Sequence, residues 1–199
     1  MTPDPPTPRH GLRERKKRDA ERAIRAAALR LFMEHGYSAV SIEQIADAAD
    51  VSRTTFFNYF PSKEAVVLEP DPAQLAVWQQ LRAERPMGEP LWHSLKAILL
   101  GTMECSRDWM VVQKQLKAAS PSVIPMLHDA SDRLSRELHV WVEGRVPPGE
   151  RFAAQLQLNI ALSAVLTAFD QWDVAQPFET FLETTRDYLD QIGHAFSTD

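Results

Sequence analysis

Ser41–Lys63 reads SIEQIADAADVSRTTFFNYFPSK. Ser41, with Gln44 three residues later, has the spacing at which a hydroxyl and an amide side chain satisfy each other's free backbone N–H groups, so a helix starts here. Ile42, Ile45 and Ala46 give that helix an inner face. Asp50 and Val51 read as a turn, and Ser52 caps a further helix to about Tyr59. Pro61 and Ser62 break and restart the chain, with Ser62 as the next cap. Two helices of about eight residues, joined by a three- to four-residue turn, can present the second to the major groove of a duplex. That requires one buried face and one reading face. Val51, Phe56 and Phe60 would pack against Leu31, Phe32, Ile45 and Ala46, leaving Arg53, Thr54, Thr55, Asn58 and Tyr59 outward.

The outward types suit base edges. Arginine can make a bidentate contact to guanine and asparagine to adenine, while a threonine methyl can meet that of thymine. Ser41 and Lys63 stand at helix starts, where free N–H groups and a cation can hold phosphates. Upstream, Ile24, Ala27, Ala28, Leu31 and Phe32 recur at helical spacing, so a helix is predicted from about Arg18 to Gly36. Gly36 is placed for a left-handed cap. Residues 1–63 hold 11 Lys/Arg against 8 Asp/Glu, net +3, on a chain of net charge −5; the remainder therefore carries −8. This asymmetry points to a local anionic partner. Four prolines in the first eight residues and the basic run that follows predict a disordered basic arm over 1–17, able to reach the DNA backbone or a minor groove.

GYSAVSIEQIADAADVSRTTFFNYFPSKEAVV closely resembles the DNA-binding segment of the TetR family of bacterial regulators. The helix ending LFMEHGY, the IADAADVS turn and the terminal YFPSKE carry the likeness, over roughly residues 18–68. Two departures stand out: the family often has a small residue where Thr54 stands, and tyrosine where Phe57 stands. The resemblance implies an all-α fold of about nine helices, with an N-terminal three-helix helix-turn-helix domain and a C-terminal helical ligand-binding and dimerisation domain. It implies a ligand-responsive repressor that binds a near-palindromic operator in double-stranded DNA as a homodimer, paired through its last two helices. Carried onto this chain, its DNA-contacting positions are Ser41, Ser52, Arg53, Thr54, Thr55, Phe57, Asn58, Tyr59 and Lys63.

Composition changes after Leu68, where Pro70 and Pro72 interrupt the chain; all five tryptophans lie beyond. The domains are therefore set at 18–68 and 69–199. Further helices are predicted at about 72–85, 90–105, 107–118, 121–144, 150–174 and 178–196, with proline breaks at Pro86–Pro90, Ser120-Pro121, Pro147-Pro148-Gly149 and Gln176-Pro177. Residues 152–169 carry no charge, so this helix must be covered on nearly every side, partly by its own domain and partly by a partner chain. Gln155, Asn159, Ser163 and Thr167 make it too polar for a lipid-facing span. They form a stripe that either packs against neighbouring backbone or orients a small hydrophobic effector. Candidate residues of that ligand site are Met103, Trp109, Met110, Trp141, Gln155, Asn159, Ser163, Phe169 and Trp172. Lys114 and Lys117 could receive an anionic group or form a solvated face.

The remaining chemistry is negative. A single cysteine, Cys105, excludes an intramolecular disulfide and fits a reducing, cytoplasmic setting. No secretory signal, glycine-rich phosphate loop, nucleophile elbow or HExxH run occurs, and the six histidines are scattered. Neither catalysis, a metal nor a cofactor is expected. The competing readings are a helical enzyme or carrier with an incidental basic N-terminus, and a non-specific architectural DNA-binding protein.

Overall fold

α1 (Arg9–His35) is 27 residues long and carries the chain into the first unit. It is followed by a 3-10 turn (Tyr37–Ala39), α2 (Ile42–Ala48), α3 (Arg53–Tyr59) and α4 (Lys63–Leu68). The computed structural model describes residues 9–69, 72–120 and 124–196. Beyond α4 come α5 (Pro72–Ala83), α6 (Leu91–Cys105), α7 (Arg107–Ala119) and α8 (Ile124–Glu143). After a 3-10 turn (Pro148–Glu150) the chain ends with α9 (Arg151–Gln171) and α10 (Phe178–Ala195). The chain divides into two compact units, one through Val67 and one from Leu68.

The start of α1 corrects the expected disordered arm. Residues 9–17 are helical, and 1–8 lie outside the described residues. Leucine, arginine, lysine and glutamate are all good helix formers, so this run extends the helix ahead of the packed segment that begins at Ile24. Downstream, Ile24, Ala28 and Phe32 are fully buried with Ile45, Phe56, Phe60 and Val66. Gly36 ends α1 at φ 80, ψ 151, a conformation essentially reserved for glycine, with its N–H on the Phe32 carbonyl at 2.8 Å. That bend turns Tyr37 inward against Phe32.

In the second unit α6 packs against α5, α7, α9 and α10, and α8 packs on α9. Leu95, Ile98, Leu138, Val142, Leu158, Ala161 and Leu189 belong to one apolar cluster. The Trp92 indole N–H donates to the Leu189 carbonyl at 2.9 Å, tying α6 to α10. Gly193 makes room for it, since a Cβ there would stand 2.4 Å from Trp92 Nε1. α9 is long and apolar enough, by length and composition alone, to cross a membrane. Here it seats a row of small residues (Ala154, Ala161, Ala164, Ala168) with Leu158 in the core. Its opposite side stays open within the single chain, with Phe152 81% and Leu166 52% exposed.

Candidate nucleic-acid interface

The turn between α2 and α3 is closed by backbone alone. Val51 N–H reaches the Ala46 carbonyl at 3.0 Å and Asp50 N–H that of Asp47 at 3.1 Å, with Asp50 at φ 53. This is the Schellman arrangement, in which one left-handed residue satisfies the last carbonyls of a helix. Asp50 is the sole non-glycine at positive φ among the described residues. At the other end of α2 the capping box forms as the spacing predicts. Ser41 Oγ accepts from Gln44 N–H at 3.2 Å, and Gln44 Oε1 accepts from Ser41 N–H at 2.8 Å. Ser52 caps α3 by accepting from Thr55 N–H at 3.0 Å, and Ser62 caps α4 through Ala65 N–H at 3.2 Å.

These turns fix which face of α3 is open. Phe56 and Phe60 are buried, 5.9 Å apart between ring centroids. Ser52, Arg53, Thr54, Phe57 and Asn58 are exposed, while Thr55 and Tyr59 are half-buried. Arg53 pairs with Glu43 at 3.2 Å and lies over the Phe57 ring, so in the free chain its guanidinium is held close to α2. Thr55 Oγ1 shares a 2.8 Å hydrogen bond with Ser52 Oγ, so its hydroxyl is engaged within the α3 cap. Ser41 is half-buried at the start of α2.

Lys63 has a more specific place than a helix start alone suggested. Its ammonium donates to the Tyr37 carbonyl at 2.9 Å and the Val40 carbonyl at 2.8 Å, and sits 4.1 Å from the Tyr37 ring centroid. Two of its three N–H bonds therefore clamp the segment that leads into α2. Burial lowers its pKa, opposed by the neighbouring Glu64 charge. Tyr37 Oη donates to Glu64 Oε1 at 2.5 Å. Burial first, then the bond and charge of Glu64, push the Tyr37 phenol far above its usual range. Burial also pushes the Glu64 carboxyl up, but hydrogen bonds from Tyr37, its own backbone and Ser62, with the Lys63 charge, outweigh it and hold the group below its usual value.

A pH-dependent prediction follows from Glu64. With a folded pKa below the unfolded one, its stabilisation is present above the unfolded value of 4.5 and lost as pH falls through the folded one. Tyr37→Phe should cost about 1 kcal/mol at pH 7, below the ~1.5–3 kcal/mol of a buried bond to a charged group because Glu64 is only partly buried. The deficit should shrink toward pH 4; urea titrations at both pH values check this, and an equal deficit at both would contradict the linkage.

Arg25 completes the brace. Nearly buried on α1, it donates to the Val66 carbonyl at 3.2 Å and lies 4.7 Å over the Phe60 ring, so it ties α1 to α4 and to the end of α3. Its charge counts in the basic excess of residues 1–63. Its i+1 position beside Ile24 on the buried face was the available signal.

The proposed ligand residues are not gathered in one place. Met103 and Trp172 are buried, Trp172 stacking on Phe181 with Phe169 and Phe178 around it. Met110, Trp141 and Phe169 flank the core, and Trp109 is half-buried on α7. The polar stripe of α9 turns outward instead of into the domain. Gln155 donates to Glu143 at 2.6 Å, Asn159 lies 3.1 Å from His139 Nε2, and Ser163 is exposed. A stripe at four-residue spacing marks one face of a helix but not which way it points, and the alanine row took the interior. With Leu156, Ile160, Tyr188 and Ile192, Asn159 and Ser163 line an open groove of about 560 Å³ between α9 and α10. Lys114 donates to the Phe169 carbonyl at 2.6 Å and the Asp170 carbonyl at 3.0 Å, capping α9, and Lys117 pairs with Asp170 at 2.6 Å. Among the described residues no cluster of histidine, cysteine and carboxylate side chains could hold a metal.

Comparison with known proteins agrees with this geometry. The family model described as bacterial regulatory proteins, tetR family, matches residues 24–69. The chain is 31% identical over 145 residues to the HTH-type transcriptional regulator RutR of Escherichia coli K12, covering 70% of this chain and 68% of RutR. It is 42% identical over 79 residues to TcmR of Streptomyces glaucescens, spanning 40% of this chain and 35% of TcmR. The crystal structure of Thermus thermophilus FadR, a TetR-family repressor in complex with lauroyl-CoA, shares the fold at TM-score 0.56 and 21% identity, over 90% of this chain and 96% of that one. A capped and braced reading helix, a helical second unit and a relative matched over two thirds of its length lead to one assignment: the chain belongs to the TetR family of bacterial regulators and is a DNA-binding transcriptional regulator, not an enzyme.

Proposed function

We propose that this regulator is a cytoplasmic repressor that binds a near-palindromic operator as a homodimer and is released by a small, largely apolar ligand held in its second unit. The observation that carries the pairing is the open outer side of α9, where Phe152, Leu156 and Leu166 stand exposed on a helix free of charge from 152 to 169. Apolar area of this kind on a soluble helical domain marks an interaction surface. A two-fold axis would set α9 and α10 against the same helices of a second copy as a four-helix bundle, with the groove between them receiving partner side chains. Two copies of α3 then meet adjacent half-sites roughly 34–36 Å apart. The lauroyl-CoA complex of a protein with the same fold is in keeping with an apolar effector.

Release needs a ligand that prefers the form whose reading heads do not match that spacing. A hundredfold loss of operator affinity takes about 2.8 kcal/mol of such preference. Competition between operator and random duplex tests the regulator reading against a carrier or an architectural protein, and equal affinity for both would sink it. Steep salt dependence does not discriminate, because phosphate contacts give it to any duplex binder. Thr55→Ala and Asn58→Ala should each relax base preference at one operator position by about 1–3 kcal/mol, measured on a set of single-base operator variants. A uniform loss across all of them would assign both residues to the backbone instead.

A further inference from the structure

Trp78 Nε1, Arg82 Nη1 and Thr102 Oγ1 are buried polar atoms without a hydrogen-bond partner. All three lie where α5 and α6 meet. Gln74 on α5 comes within 3.5 Å of Ser106 on α6, and a Cβ on Gly101 would stand 2.8 Å from Leu81, so the helices run antiparallel. Trp78 falls between Gln74 and Leu81 on one face of α5, about a turn from each. Thr102 lies one turn before Ser106 and beside Gly101. The indole and the hydroxyl therefore face each other across this interface, with Arg82 one turn further along α5.

Among the described residues several comparable groups are partnered, while Arg25 Nε and the Trp172 indole are not. The Trp92 indole has its carbonyl, and Thr167, Thr184 and Thr185 each donate to the carbonyl four residues back at 2.8 Å. Thr102 makes no such bond, although the same acceptor geometry is open to any helical threonine. The other orphaned indole, Trp172, lies among phenyl rings. A desolvated donor recovers its lost hydration only through a partner, so three at one interface define a place for an acceptor-rich group.

We propose that Trp78, Arg82 and Thr102 form the head-group subsite for the effector and take the carboxylate of a small amphipathic acid. The chemistry selects the class. An indole and a guanidinium only donate, and the hydroxyl can donate as well, so the guest must be an acceptor. A carboxylate offers two oxygens with about four lone-pair sites. Arg82 pairs with Glu137 through Nη2 at 2.8 Å, which leaves its Nη1 as the free donor at this site. Met103, next in sequence to Thr102, belongs to the apolar cluster, and Leu81, next to Arg82, packs against it; these surroundings would hold the rest of the ligand. This inference rests on the ligand-responsive reading above and supplies its head-group chemistry.

Calorimetry on the full chain, without DNA, tests it with phenylacetate, octanoate and 1-octanol. At least one acid should bind about tenfold or more tighter than the alcohol, as a charge-assisted contact requires. Thr102→Val, nearly isosteric, and Trp78→Phe should each weaken that acid about five- to tenfold and leave octanol unchanged. Failure of both acids to bind below about 1 mM, or unchanged acid affinity in both variants, overturns the subsite. Operator affinity measured with and without the acid separates the two ideas. Acid binding that depends on Thr102 but leaves the operator complex intact supports the subsite and defeats ligand release. Acid-driven release that ignores both substitutions does the reverse.

Discussion

Phe56→Ala should abolish operator binding and unfold the first unit near physiological temperature. Phe56 is fully buried, with Phe60 at 5.9 Å and in the same core as Phe32 and Ile45. Truncating a buried phenylalanine costs about 3–5 kcal/mol in lost transfer energy and cavity formation. Whole domains are stable by only about 5–15 kcal/mol, and one of this size sits toward the low end. The loss should appear as an early transition, assigned to the first unit by amide exchange in α2 and α3, while the second unit melts as before. Phe57→Ala is the internal control. Phe57 is 42% exposed, so its removal should change stability by no more than about 0.5 kcal/mol. If Phe56→Ala keeps wild-type melting and operator affinity, this aromatic core does not hold the reading helix.

Leu156→Arg should leave each chain folded, convert the proposed dimer to monomer and lower operator affinity by about 10²–10⁴-fold. Leu156 is half-exposed and lines the groove between α9 and α10, so a guanidinium is accommodated in the isolated chain. In a two-fold interface the charge is desolvated twice without a counter-ion, a penalty of several kcal/mol for each buried ion. The affinity loss follows because the second half-site then has to recruit a separate molecule. Sedimentation velocity with operator anisotropy on the same samples separates the two steps. A variant that remains dimeric would move the interface off this face. A monomer with full operator affinity would overturn the paired-head model.

Local chemistry made the first unit readable before any coordinates. Ser41 with Gln44, Ser52 ahead of Thr55 and Ser62 ahead of Ala65 are caps whose partners lie three residues away, so spacing alone locates them. Most helices of the second unit were equally visible, because prolines mark the breaks between them, Ser106 between α6 and α7 excepted. What the helices touch was not. The clamp of Lys63 on Tyr37 and Val40, and that of Arg25 on Val66, span 23 to 41 residues, and no periodic pattern reports them. The same holds for α9, where Asn159 and Ser163 fit an inward or an outward stripe equally well until Ala161 and Ala164 are seen in the core. Trp78 and Thr102 are the extreme case, because a missing partner leaves no trace in sequence.

The joint between Trp92 and Gly193 bears on the order in which the protein can be made. Synthesis runs from the N-terminus, and units that close early can fold while later ones are still emerging. The first unit is complete by Val67 and rests largely on contacts between neighbouring helices. The second cannot finish until residue 193 has emerged, because the indole at 92 finds its acceptor at Leu189 and its notch at Gly193. Each nascent chain therefore passes through an interval in which the first unit is assembled and the second is still open.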